Sequence, residues 1–255
     1  MNSAKNIAIR AQYPEDGSYS WEQAIDKYSL EGKVPIELAF YKSKYFHDIS
    51  SEDIIKPLKE KNISVNSIHF PHFSLPSYNK YKQALTKCCE LAKKIGVKDI
   101  VAHPPFGTLN KRRDFLENMV EPILRDNNVS LSWETFRGNK RILNGVEEIA
   151  EYCKGKSNFG ACYDFSHIFL DQRKVMEQLR KYLGVIKEFH MSNFNLETKE
   201  QHLPIFNKKG SLDFMEILKF LKDSKFQGHL TFEYLEQYHK YYNKDIQKVK
   251  DILQS

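Results

Sequence analysis

The sequence is poor in cysteine, with four in 255 residues, and none of them forms a CxxC pair or zinc-finger spacing. Cys88 and Cys89 are adjacent in a predicted helix and point in different directions; Cys153 and Cys162 are isolated. This excludes a disulfide framework and predicts reduced, structural thiols in a cytoplasmic protein. No run approaches the ~18 apolar residues of a membrane span. The opening Met1-Asn-Ser-Ala-Lys-Asn6 leads into a strand-like run without the apolar core of a signal peptide. A glycine-rich phosphate loop after the first strand is also missing. Gln12-Tyr-Pro-Glu-Asp-Gly17 does not match one, which argues against a dinucleotide-binding fold. No Pro- or Gly-rich linker, low-complexity segment or repeat divides the chain, so residues 1–255 are expected to form one domain.

What is present is ordinary for a globular chain: 41% hydrophobic and 28% charged residues, enough to bury a core without staples. The net charge of +6 comes largely from lysines spread along helical segments such as 56–61 and 240–250. These read as a solvated surface, since a nucleic-acid footprint would need them gathered on one face. Lys208 and Lys209 are read the same way, ahead of a phosphate-binding role.

Short apolar runs alternate with amphipathic segments throughout. The predicted strands are Asn6–Arg10, Val34–Phe40, Val65–Phe70, Asp99–His103, Val129–Glu134, Phe159–Asp164, Val185–His190 and His229–Glu233. The predicted helices are Ser20–Glu31, Ser51–Lys61, Ser77–Gly96, Asp114–Asp126, Gly145–Lys154, Gln172–Leu183, Ser211–Ser224 and Lys244–Leu253. Eight strand-helix units imply a parallel sheet, and eight favour a closed (β/α)8 TIM barrel of the α/β class over an open doubly wound sheet.

In that barrel the chemistry sits at the carboxyl ends of the strands. Strands three to eight close on His69, His103, Glu134, Asp164 (then His167), His190 and Glu233. A single histidine or carboxylate at a strand end reads as a satisfied core group or a cap. Six at successive strand ends do not, because buried carboxylates without a cation would repel one another and carry a heavy desolvation cost. A divalent ion removes both problems. Glu134, Asp164, His190 and Glu233 are the most economical ligand set, with His69, His103, His167, Glu200 and His202 as further metal or substrate ligands. His47 and His239 read as surface residues, His229 lies at the far face, His72 is a weaker substrate contact, and Tyr234, Tyr238, Tyr241 and Tyr242 read as packing.

These motifs resemble the xylose-isomerase-like TIM-barrel superfamily over nearly the whole chain. The resemblance rests on Trp133-Glu134-Thr135, Asp164-Phe-Ser-His167, His190-Met-Ser-Asn193, His202 through Gly210-Ser-Leu-Asp213-Phe214, and Phe232-Glu233. For the sugar-isomerase branch it implies one divalent ion (Mn²⁺, Zn²⁺, Mg²⁺ or Co²⁺) on Glu134, Asp164, His190 and Glu233. It also implies a metal-stabilised enediolate, Glu134 and Glu233 as the catalytic acid and base, and a substrate hydroxyl on His167. The stretch after His190 carries no arginine, which points away from a ketohexose 3-epimerase. For the zinc-dependent apurinic endonuclease branch it implies up to three zinc ions. His69 and His103 would share a bridging Glu134, and His167 would join Glu200-Gln201-His202 where that branch has Asp-x-His. The first expectation is therefore a metal-dependent isomerase or epimerase of a small sugar, sugar phosphate or polyol. The alternatives are an endonuclease acting on DNA, a dehydratase on the same scaffold, and a metal-binding component without turnover. Barrels of this kind often dimerise, and a homodimer is kept open.

Overall fold

The computed structural model describes residues 6–13, 20–28, 34–40, 46, 50–72, 78–108, 113–138 and 140–255. His47 lies outside them. The apolar runs form eight strands: β1 (Ile7–Gln12), β2 (Ile36–Ala39), β3 (Val65–His69), β4 (Asp99–Ala102), β5 (Ser130–Glu134), β6 (Phe159–Asp164), β7 (Ile186–Met191) and β8 (His229–Phe232). They pair in parallel in chain order and close, β8 against β1, into one barrel. Each predicted strand is found, with ends that differ by at most two residues.

Helices fill the connections. Those at Trp21–Tyr28, Ser51–Glu60, Tyr78–Ile95, Val146–Cys153, Gln172–Tyr182, Phe214–Asp223 and Tyr242–Gln254 match the amphipathic segments. Serines cap two helix starts: the Ser20 hydroxyl accepts from the Gln23 amide and the Ser50 hydroxyl from the Glu52 amide, both at 3.2 Å. The segment expected to be one helix over Asp114–Asp126 instead begins with a π turn, Leu116–Val120, before the helix Glu121–Asn127. Pro122 stands at the start of that helix, where its missing N–H removes an i→i−4 bond. A single turn, Phe165–Ile168, follows β6.

The strands are apolar outward and polar inward. Ile68, Trp133, Tyr163, Phe189 and Phe232 are fully or almost fully buried in the layer between barrel and helices. The alternate residues Arg10, Glu37, Ser67, Ser132, Glu188 and Thr231 are just as buried but polar. A barrel interior is more often filled by branched aliphatic side chains. Here it is wired: Asp99 accepts from Ser130 at 2.5 Å and lies 3.3 Å from His229, near the amino ends of the strands. Above them, the Ser67 hydroxyl stands 3.3 Å from Glu37 and 3.1 Å from Glu188, which also accepts from Thr231. Burial and the Glu37 carboxylate push Glu188 up to about 7.

His239 departs from its reading as a surface residue. It is half-buried, stacked on Tyr242 with ring centroids 5.0 Å apart, and within 3.1 Å of the Tyr234 carbonyl. Tyr234 and Tyr242 stack at 4.8 Å, consistent with packing.

Candidate metal centre

At the carboxyl ends of the strands the polar interior becomes a cluster of histidines and carboxylates. Glu134, fully buried at the end of β5, is its hub. Its Oε2 lies 2.8 Å from His69 Nε2 and 2.9 Å from His103 Nε2; its Oε1 lies 2.6 Å from His167 Nδ1. His69 Nδ1 sits 3.2 Å from the Phe70 carbonyl, where it donates. The Nε2 lone pair then faces a carboxylate oxygen, an arrangement that requires a proton or a cation between them.

Asp164 is divided between two tasks. Oδ1 accepts from the amides of Ser166 at 2.6 Å and His167 at 3.2 Å, capping the single helical turn after β6. Oδ2 is left pointing at the cluster, 3.4 Å from His167 Nδ1 and 3.5 Å from His190 Nδ1. His190, paired in register with Asp164 across β6 and β7, presents Nδ1 to Glu233 Oε2 at 3.1 Å and to Glu134 Oε1 at 3.9 Å. Glu134, Asp164, His190 and Glu233 are therefore brought together.

His202 arrives from the loop after β7. Its backbone is left-handed (φ 51°), an uncommon conformation for histidine. Its amide donates to the Ser166 hydroxyl at 3.0 Å, and Nδ1 lies 3.3 Å from the Ser192 hydroxyl and 3.9 Å from Glu233 Oε1. Asp164, His167 and His202 form one compact donor trio; His69, His103 and Glu134 form another. Glu200 is in neither, and its Oε1 accepts from the Tyr238 hydroxyl at 2.9 Å.

That loop is built around Asn193. The side-chain NH₂ donates to the carbonyls of Leu212 at 3.0 Å and Ile205 at 3.3 Å, and its oxygen accepts from the amides of Phe194 and Leu212. A Cβ on Gly210 would come within 2.2 Å of Asn193 Nδ2, so only glycine allows the approach. Gly210→Ala is expected to destabilise the protein by about 1–3 kcal/mol, read as a lowered melting temperature. An unchanged melting temperature would contradict this packing.

Two residues not singled out from the sequence hold the cluster from beneath. Arg10 Nη1 pairs with Glu233 Oε2 at 2.6 Å, and Arg10 Nε lies 3.7 Å from Glu37 Oε1. Glu37 Oε2 in turn lies 3.4 Å from His190 Nε2, which fixes that proton on Nε2 and frees Nδ1 for a ligand role. The signal was legible: Glu37 stands between Ile36 and Leu38, and a charge inside a strand apolar on both sides must face the barrel axis. Glu37→Gln is expected to weaken metal binding about 10–100-fold, measured by competition with a chromophoric chelator. Wild-type affinity would remove Glu37 from this role.

The electrostatics follow from burial and charge. Burial disfavours the imidazolium of His103 and holds it down at about 4, so it is neutral and able to bind an ion. Burial opposes the charged form of His167 as well, but the Asp164 and Glu134 carboxylates outweigh it and hold His167 at about 9. Burial would raise Glu233; Arg10 and His202 overcome it and keep the carboxyl well below its usual range. Among the buried atoms of the cluster, Asp164 Oδ2 and His190 Nδ1 make no hydrogen bond of good geometry. Orphaned lone pairs converging on one point are what a divalent cation satisfies, and the residues present fit such an ion. A cavity of 470 Å³, lined by Arg10, Gln12, His202, Glu233 and Tyr242, opens beside them.

The sequence profile described as a xylose isomerase-like TIM barrel matches residues 35–252. The chain belongs to this family. Similar chains extend the picture. An uncharacterized protein of Methanocaldococcus jannaschii is 26% identical over 228 residues, covering 78% of this chain and 81% of its own. Among solved structures, the 3-keto-D-glucoside 4-epimerase of E. coli superposes with a TM-score of 0.72 at 14% identity, covering 96% of this chain and 99% of that one. A xylose isomerase-like TIM barrel protein of Mycobacterium smegmatis in complex with magnesium gives 0.72 at 15% identity, covering 99% and 98%. Endonuclease IV of Thermus thermophilus gives 0.66 at 14% identity, covering 96% and 99%. At these identities the structural likeness speaks to the fold alone. Among the described residues of this family member, no helix is long and apolar enough to cross a membrane.

Proposed function

We propose that this chain is a divalent-metal-dependent isomerase or epimerase of a small sugar, sugar phosphate or polyol. The observation that carries the reading is the pair of carboxylates, Glu134 on β5 and Glu233 after β8, which bracket Asp164 and His190 in strand order and both approach His190 Nδ1, with a cavity of small-molecule size opening at Glu233. An ion held by Glu134, Asp164, His190 and Glu233 would supply electrophilic stabilisation to oxygens of the substrate. The remaining work falls to side chains. Arg10 occupies Glu233 Oε2, so Oε1, on the side of His202, is the oxygen free to move a proton at the carbon next to a carbonyl. Glu134 Oε1 stands on the opposite side and serves the return transfer. His167, partly exposed at the rim, holds a substrate hydroxyl.

A second reading, a zinc phosphodiesterase of the endonuclease type, draws on a separate observation. The two donor trios flank the central set and give the cluster room for up to three ions.

Metal content separates the two. The isomerase reading expects close to one divalent ion per chain by elemental mass spectrometry, and no loss of that ion in His69→Ala. It also expects deuterium uptake from D₂O into a sugar or sugar phosphate. Two or three zinc ions per chain, a loss of zinc in His69→Ala and cleavage of abasic-site DNA would replace it with the second reading.

A further inference from the structure

The loops after β4 and β5 are zipped together at the mouth of the barrel. Phe106 and Arg141 form an antiparallel bridge, the Gly107 amide donates to the Lys140 carbonyl, and the Ile142 amide donates to the Pro105 carbonyl, both at 2.9 Å. Asn144 fixes the backbone of Arg141 from the other side: its Oδ1 accepts from the Arg141 amide at 3.1 Å and its Nδ2 donates to the Arg141 carbonyl at 3.0 Å. The Arg141 side chain is thus placed, not draped.

Its guanidinium lies between two phenyl rings, 4.6 Å from the centroid of Phe106 and 4.0 Å from that of Phe136. Phe136 stacks on His167 at 4.5 Å and meets His103 edge-on at 4.9 Å. Arg141 therefore sits one ring away from two residues of the candidate metal centre. His72 completes the wall, 5.4 Å from His103 and 5.9 Å from Phe106.

This cation is poorly answered from within the protein. Arg10, Arg113, Arg125 and Arg173 each pair with a carboxylate, whereas no carboxylate among the described residues pairs with Arg141. Nη1 donates to the Pro104 carbonyl at 2.7 Å, which uses one of five donors. Residues 135–145 contain Arg137, Lys140 and Arg141 and no acid, so the loop carries no counter-charge of its own. A latch between two loops needs only the bond to Pro104. A half-buried guanidinium without a carboxylate, beside a Phe106 ring that is 43% exposed, is built to receive an anion from outside.

We propose that Arg141, walled by Phe106 and Phe136, is the subsite for a phosphate group on the substrate, which makes the substrate a phosphorylated sugar. The inference rests on the isomerase reading and narrows it. A single cation between rings suits one terminal phosphate and lacks the run of basic contacts that follows a nucleic-acid backbone.

The test uses the full-length, metal-loaded protein and two probes, D-fructose and D-fructose 6-phosphate, titrated by calorimetry into the wild type, Arg141→Gln and Arg141→Lys. The wild type is expected to bind the phosphorylated sugar at least about tenfold more tightly. Arg141→Gln should lose that preference while keeping its affinity for fructose, its metal content and its melting temperature. Arg141→Lys, which keeps a charge and a donor for Pro104, should retain part of the preference and guards against a folding defect in the glutamine variant. A preference that survives Arg141→Gln, as when the phosphate goes straight to the metal ions, overturns the inference. Equal binding of both sugars by the wild type also overturns it and leaves the isomerase reading standing. Binding of neither sugar, with binding of abasic-site DNA, overturns both.

Discussion

Replacing Glu134 by glutamine is expected to strip most of the metal from the protein and to lower turnover by about 10²–10⁴-fold. The carboxylate meets three imidazoles at 2.6–2.9 Å, two through Oε2 and one through Oε1. Glutamine keeps the shape but turns one acceptor into an NH₂ donor, so either the side facing His69 and His103 or the side facing His167 and His190 loses its carboxylate oxygen. The side chain is fully buried and the exchange nearly isosteric, so the fold should survive, as a melting curve would verify. Elemental mass spectrometry reports the metal and deuterium exchange into substrate reports the turnover. A glutamine variant with wild-type metal content would show that Glu134 is not the hub.

The second large effect concerns pH. In the ion-free protein His167 holds its proton up to about 9, against a usual value of 6.5. A folded-state value above the unfolded one means the proton stabilises the fold. That contribution is complete below pH 6.5 and lost as pH rises through about 9; it amounts to about 3 kcal/mol. Protein stripped by a chelator should therefore melt roughly 5–10 °C lower at pH 9.5 than at pH 6.5. Metal-loaded protein should show little of this fall, because an ion on Glu134 and Asp164 neutralises the two carboxylates that hold the His167 proton. The same exchange should release protons when metal binds at pH 7, read from titrations in buffers of different ionisation enthalpy. Parallel melting profiles for the two forms would sink the idea that the ion and the His167 proton share the Asp164 and Glu134 carboxylates.

Much of the barrel was legible because strands and helices differ in period. Val65–His69 and Phe159–Asp164 are short and bounded, whereas Tyr78–Ile95 spaces its apolar residues for one helical face. The π turn before Pro122 was not legible, since its apolar spacing differs little from that of a helix. Strand-end reasoning located Glu134, Asp164, His190 and Glu233, since a closed parallel barrel forces those ends together. It did not reach Arg10 or Glu37, which lie on the two strands without a histidine or acid at the end. Nor did it place Arg141 beside His103 and His167, because that depends on how two loops pair, and no periodicity encodes it. Glu200 enters only through the resemblance to an Asp-x-His pair, and its carboxylate bonds to Tyr238 and joins neither donor trio.

The wired interior of the barrel has an evolutionary consequence. An apolar core drifts by exchanging one aliphatic residue for another of similar size, each step being nearly neutral. Arg10, Glu37, Ser67, Glu188, His190 and Thr231 allow no such drift, because losing any one strands a buried partner of another. Such a lining is inherited as a block while the helices around it diversify. Relatives of this chain should therefore share the inward residues of β1, β2, β3, β7 and β8 even where overall identity has fallen to the level at which only the fold is still recognisable.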